Sequence, residues 1–154
     1  MMKAIGASVL FIVLAIGTPP AMSSAQQGRE PHLVVSVGSH WWTYNHDQLK
    51  AMATKDRSNT RGDKKNPVIP LDVLLTKDTR LSLDRVIRVV IVGQQHVLLL
   101  EGDDLKHVNH LMVMLGTKYT TLVPETDETY QALRPILGKP RLEDIERIDV
   151  VERR

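Results

Sequence analysis

Between positions 101 and 110 the chain carries Glu101, Asp103, Asp104, His107 and His110. Imidazole nitrogens and carboxylate oxygens are suitable ligands for Zn²⁺ or another divalent ion. His107 and His110, three residues apart, share one face of any helix that extends that far. Asp103, Asp104, His107 and His110 are therefore the candidate metal ligands. Their spacing lacks the specificity of an H-E-x-x-H motif. Acidic residues at a helix start and histidines at its end are also what capping and the helix dipole favour without any metal, and capping is the reading these residues favour.

A second constellation is aromatic. His40-Trp41-Trp42-Thr43-Tyr44 is the only concentration of rings in a chain with one Phe, two Trp and three Tyr. Neighbouring Trp residues on a strand face opposite ways, so one fills the core while the other is left near the surface, where it marks a partner or ligand groove. Burial of both is the competing expectation, because large aromatics are mostly covered. Thr54 to Asn66 has no apolar residue and carries Lys55, Arg57, Arg61, Lys64 and Lys65 against Asp56 and Asp63, which reads as an exposed loop. Trp41 and Trp42 together with Arg57, Arg61, Lys64 and Lys65 form the candidate partner-binding surface.

No catalytic residue is assigned. Ser36, Ser39, Ser58 and Ser82 lie in no G-x-S-x-G elbow, and the chain has no P-loop and no G-x-G-x-x-G. Cysteine is absent, which excludes disulfides, thiolate metal sites and a Cys nucleophile. A net charge of +2 supplies no field that would draw nucleic acid or an anionic membrane.

The elements that must position these groups begin after a processing signal. Lys3 precedes the small and apolar run Ala4 to Gly17, Pro19 and Pro20 break any helix, and Ser23-Ser24-Ala25 fits a cleavage site. Residues 1–25 are thus expected to be a Sec-type signal peptide, leaving 26–154 as one periplasmic or secreted domain. The apolar run is shorter than the ~20 residues of a membrane span, so no stable span is expected after cleavage.

Arg85 to Glu101 reads as a central β-hairpin. Its nearly continuous runs Val86 to Val92 and Val97 to Leu100 predict burial on both faces, and Gly93 is placed to supply a positive φ at the turn. Strands are also expected at His32 to Val37, Leu111 to Leu115, Lys118 to Val123 as an exposed edge, and Ile145 to Val151. Asn45 and Gln48 predict a capping box for a helix ending near Ala53. Leu71 to Leu75 forms one or two helical turns after the extended Pro67 to Pro70. Gly102-Asp103-Asp104 opens a short helix that turns Leu105 and Val108 inward. Glu125 to Leu133 is partly helical, and Pro135, Gly138 and Pro140 make the next stretch irregular. About six short strands and two or three short helices, without regular βαβ alternation, predict a mostly-β α+β domain.

The order of these elements resembles the molybdopterin-binding oxidoreductase domain of sulfite oxidase-like enzymes, in its small exported members. The resemblance runs from about Leu33 to Val151. It rests on Thr43 to Leu49, Ile69-Pro70 with the leucine helix to Leu75, the hairpin Val86 to Leu100, Leu122-Val123-Pro124, and Ile145 to Val150. It implies a sulfite oxidase-like fold and molybdopterin as the cofactor to consider. Catalytic members carry a molybdenum-ligating Cys, which is missing here, and Gly93-Gln94-Gln95 stands where their hairpin has an Asp-Gly-Tyr type of turn. Lys3 alone precedes the apolar run, whereas cofactor-loaded members carry a twin-Arg signal. These departures point to no bound cofactor and to a non-catalytic binding or accessory domain whose partner is an envelope protein or small ligand. The alternatives are a metal-binding protein or metal-dependent enzyme using His107 and His110, and a cofactor-binding oxidoreductase.

Overall fold

A computed structural model describes residues 32–53, 66–117 and 119–154. The expected signal peptide and the basic loop residues Arg57, Arg61, Lys64 and Lys65 lie outside the described residues. The α+β expectation holds: the described chain is mostly strand with a few short helices in one small domain. No described helix is long and apolar enough to cross a membrane.

Strand β1 (Leu33–Val37) turns at Gly38-Ser39 into β2 (His40–Tyr44). Helix α1 (His46–Met52) follows, with the expected capping box: Gln48 N–H donates to Asn45 Oδ1 at 2.9 Å and Asn45 N–H to Gln48 Oε1 at 2.9 Å. β3 (Val68–Pro70) leads into α2 (Leu71–Thr76), which buries Leu71, Leu74 and Leu75 as its spacing requires. The hairpin is β4 (Val86–Gly93) with β5 (Val97–Glu101), and after a 3₁₀ segment at Gly102–His110 come β6 (Leu111–Leu115) and β7 (Thr120–Pro124). Helix α3 (Asp127–Leu137) and β8 (Ile145–Glu152) complete the order. The described residues thus hold eight strands rather than six, because His40–Tyr44 and Val68–Pro70 both pair.

Two sheets form. The larger has the order β2-β1-β8-β4-β5, and the smaller β3-β6-β7. The centre of the larger sheet is the last strand, β8, parallel to β1 and antiparallel to β4. The hairpin therefore lies to one side, with β5 at the edge. Burial on both faces, expected for the hairpin, is corrected: Leu98 and Leu100 are fully buried, while Val97 is 52% and Leu99 40% exposed. One face of the sheet is covered and the other is open, which restores alternation along β5.

The strand buried on both faces is β6. Leu111, Val113 and Leu115 enter the main core with Ile69 and Leu122, whereas Met112 and Met114 pack with Val68 and Val123 in a separate small cluster. Its neighbour β7, expected as an exposed edge, is buried from Thr120 to Pro124. Leu122 exchanges backbone hydrogen bonds with Leu142 at 2.8 and 2.9 Å, so the segment before β8 covers this edge.

Two further corrections concern local conformation. α3 passes through Pro135 instead of ending at Leu133, because proline near a helix end removes one terminal hydrogen bond while Leu133 and Leu137 hold the apolar face. Gly138, at φ 70°, terminates it. Gly93 does not adopt a positive φ; its need is for space, since a Cβ there would lie 2.8 Å from the Glu143 carbonyl oxygen.

Candidate functional site

The segment carrying the candidate metal ligands is a nine-residue 3₁₀ helix rather than an α-helix. With three residues per turn, side chains at i and i+3 eclipse. Leu105 and Val108 form the inward row, as expected, and Leu111 continues it into β6. Asp103, Lys106 and Asn109 form an exposed row. Asp104, His107 and His110 form the third. The structure therefore places Asp104, His107 and His110 in line and sets Asp103 on a different row.

Side-chain capping by the acids is corrected, while Asp103 and Asp104 do stand in the first turn and His107 and His110 in the last, as the helix dipole favours. Glu101 occupies the N-cap position and makes no side-chain cap hydrogen bond. It is drawn instead to the neighbouring strand, where Arg88 Nε and Nη2 both lie 3.1 Å from Glu101 Oε2. At the other end, His110 Nδ1 lies 3.3 Å from Glu125 Oε2, and Glu125 N–H donates to the His110 carbonyl at 2.8 Å. Backbone and side chain thus tie the end of the 3₁₀ segment to the approach to α3. Burial, reinforced by the positive charge of Lys106, holds the His107 imidazole below the ordinary histidine range; Asp104 and Glu128 oppose that shift and His110 adds to it. Among the described residues, no group of three or more His, Cys, Asp or Glu is arranged to hold a metal ion.

The aromatic stretch lies on β2, an outer strand of the larger sheet. The register pairs Trp42 with Val35 on the covered face and Trp41 with Ser36 on the open face. Trp42 is partly buried against the core and Trp41 is 43% exposed, so burial of both, the expectation that large aromatics favour, is corrected: strand alternation separates the pair and leaves Trp41 on the open face. Beside Trp41, the Ser36 hydroxyl donates to Asp149 Oδ1 at 2.6 Å, and Arg147 Nε lies 2.9 Å from Asp149 Oδ2. Both carboxylate oxygens of Asp149 are therefore engaged, and the group ties β1 to β8. Across the same face, Val90 stands opposite Leu99 and Val92 opposite Val97. Sequence reasoning missed this apolar stretch because the runs in the hairpin read as core; the signal is visible only once the pairing partners and the uncovered face are known.

The hairpin turn, at which the chain departs from the oxidoreductase pattern, is closed by backbone contacts. Gly93 N–H donates to the His96 carbonyl at 2.9 Å, Gln94 N–H donates to the Asp144 carbonyl at 3.0 Å, and His96 Nε2 lies 3.2 Å from the Ile136 carbonyl. With a Cβ excluded at Gly93, this turn is packed against the 136–144 stretch. No protein-family model, curated protein or solved structure matches the chain.

Proposed function

We propose that the chain is an exported, non-catalytic binding module of the molybdopterin-oxidoreductase-like class, and that it takes an extended segment of an envelope protein along β2. The observation that carries this reading is Trp41, 43% exposed on the open face of a strand that ends its sheet. An outer strand presents unpaired backbone N–H and C=O groups, so an added strand gains main-chain hydrogen bonds while alternate side chains supply specificity. The Trp41 indole offers a broad apolar surface with an N–H handle, a combination favoured at recognition sites. Thr43 lies two residues along on the same face.

A photo-crosslinking residue placed at Thr43 in the native host tests the reading. The expected result is one discrete protein adduct that disappears in the Trp41→Ala background, with the exposed Gln131 of α3 as the control position. Absence of an adduct at Thr43, or an adduct indifferent to Trp41→Ala, overturns it.

A second reading, a metal-binding protein using His107 and His110, draws support from the 3₁₀ row that aligns them with Asp104. Elemental analysis after dialysis separates the two readings. Metal that is lost in both His107→Ala and His110→Ala variants supports the metal site, while equal metal content in all three proteins removes it.

A further inference from the structure

We infer that the extended segment taken at β2 is held by the outward N–H and C=O groups of Trp41 and Thr43 and selected by Trp42, whose indole receives a large apolar side chain of that segment on the covered face of the sheet. The inference rests on the β2 reading and assigns the groups of the strand that perform it. Gly38, at φ 61°, and Ser39 make the two-residue turn between β1 and β2, with glycine at the first central position as a type II′ turn requires. The residues flanking such a turn, Val37 and His40, form a hydrogen-bonded pair. By the alternation of an antiparallel ladder, Val35 with Trp42 and Leu33 with Tyr44 are the next ones.

The far side of β1 gives the same parity independently. Gly38 N–H donates to the Val150 carbonyl at 3.4 Å, so the main-chain groups of Val34, Ser36 and Gly38 point toward β8 and those of Leu33, Val35 and Val37 toward β2. The N–H and C=O groups of Trp41 and Thr43 therefore point away from β1, and among the described residues no strand lies on that side. The edge ends beyond Thr43, because Asn45 N–H donates to Gln48 Oε1 at 2.9 Å inside the capping box. An added strand thus takes its main-chain hydrogen bonds from Trp41 and Thr43, and the segment residue between those two contacts turns its side chain to the covered face.

There it meets Trp42. Val35, paired with Trp42 on β1, is fully buried, so the core closes over the inner side of the indole and its remaining exposure lies toward the outer edge. Tyr44, next along on this face, is buried, while the His40 ring is exposed and stands 6.4 Å from the Trp42 ring. A side chain arriving opposite Trp42 is met by aromatic surface. A large apolar group completes the cover of the indole, since β2 carries no Asp, Glu, Lys or Arg to pair with a charged one.

A photo-crosslinking residue placed at His40 in the native host tests the inference. The expected result is a protein adduct that persists in Thr43→Val, which keeps the outward N–H, and falls at least about tenfold in Thr43→Pro, which removes it from an outer strand where proline is tolerated. Circular dichroism and the urea midpoint of both variants should match the parent. Mass spectrometry of the adduct should find a large apolar residue two positions from the linked one, and a peptide without it overturns the role of Trp42. An adduct indifferent to Thr43→Pro overturns the backbone contact while leaving the β2 reading, which depends on Trp41, in place. No adduct in the parent overturns both. Were Thr43→Pro unable to fold, hydrogen exchange on the parent decides: the amides of Trp42 and Tyr44 must exchange slowly and those of Trp41 and Thr43 fast, and the reverse order overturns the inference.

Discussion

The surroundings of His107 hold its imidazole below the ordinary histidine range, and that has a consequence for stability. Burial acts first and Lys106 second, with His110 adding to them and Asp104 and Glu128 of α3 acting in opposition. A histidine whose folded pKa is depressed binds its proton more readily in the unfolded chain. Its contribution is therefore complete above the ordinary histidine value of about 6.5 and is lost as pH falls below it. The expected outcome for His107→Gln is a melting temperature that falls less steeply than the parent's between about pH 7 and pH 5. Parallel curves for the two proteins across that window would remove the argument. At the same scale, Gly93 illustrates a residue read correctly as important and for the wrong cause: composition marks a turn, but the nearby Glu143 carbonyl belongs to a segment fifty residues on, and only the fold brings it to 2.8 Å from a Cβ at Gly93.

Among the elements, α3 bridges the two sheets, packing against β5, β7 and the 3₁₀ segment. Thr126 caps its N-terminus by accepting from Thr129 N–H at 3.2 Å, and Leu133, fully buried, is the middle of its apolar face. Leu133→Ala is expected to cost about 2–5 kcal/mol, because the cavity sits between packed sheets that relax little. Thr126→Ala should cost about 1 kcal/mol through loss of the cap. Urea midpoints measure both, and a Leu133→Ala loss no larger than the cap loss would contradict this packing. Local signals made much of the element list legible: Asn45 with Gln48 defines α1, and the Leu71, Leu74 and Leu75 spacing defines α2. What local pattern could not convey was coverage. Val97 and Leu99 look like core in sequence because an apolar run records propensity, not whether a layer lies above it, while Thr120 and Thr121 look exposed although the Leu142 segment and the Met112 and Met114 cluster enclose β7. The 3₁₀ geometry was also invisible, since the acids and histidines of 101–110 fit either helical period. Its outcome changed the candidate site, aligning Asp104 with both histidines and leaving Asp103 apart.

For the molecule as a whole, the decisive feature is that the strand completing the core comes last in the chain. β8 separates β1-β2 from β4-β5, and each half of the larger sheet meets the other only through it. Its inward residues Ile145, Ile148 and Val150 are buried, and its Asp149 accepts from Ser36 across 113 positions of sequence. Removing β8 exposes the inner faces of β1 and β4 and leaves one edge of each of those two strands without its ladder partner, a loss on the scale of the ~5–15 kcal/mol that holds an ordinary domain together. A chain shortened before Ile145 should therefore show no cooperative urea transition, whereas removal of Arg154 alone, beyond the last strand, should leave the midpoint within about 0.5 kcal/mol of the parent. Trp42 provides the probe, because its ring packs on the core from β2, a strand that reaches β8 only through β1. Native-like Trp fluorescence and a cooperative transition in the shortened chain would mean that the β1-β2 and β4-β5 pairs are stable without the strand between them. The pairing instead requires long-range closure before most of the apolar area is buried, which places this domain among slow folders of high contact order and makes β8 the step on which cooperativity depends.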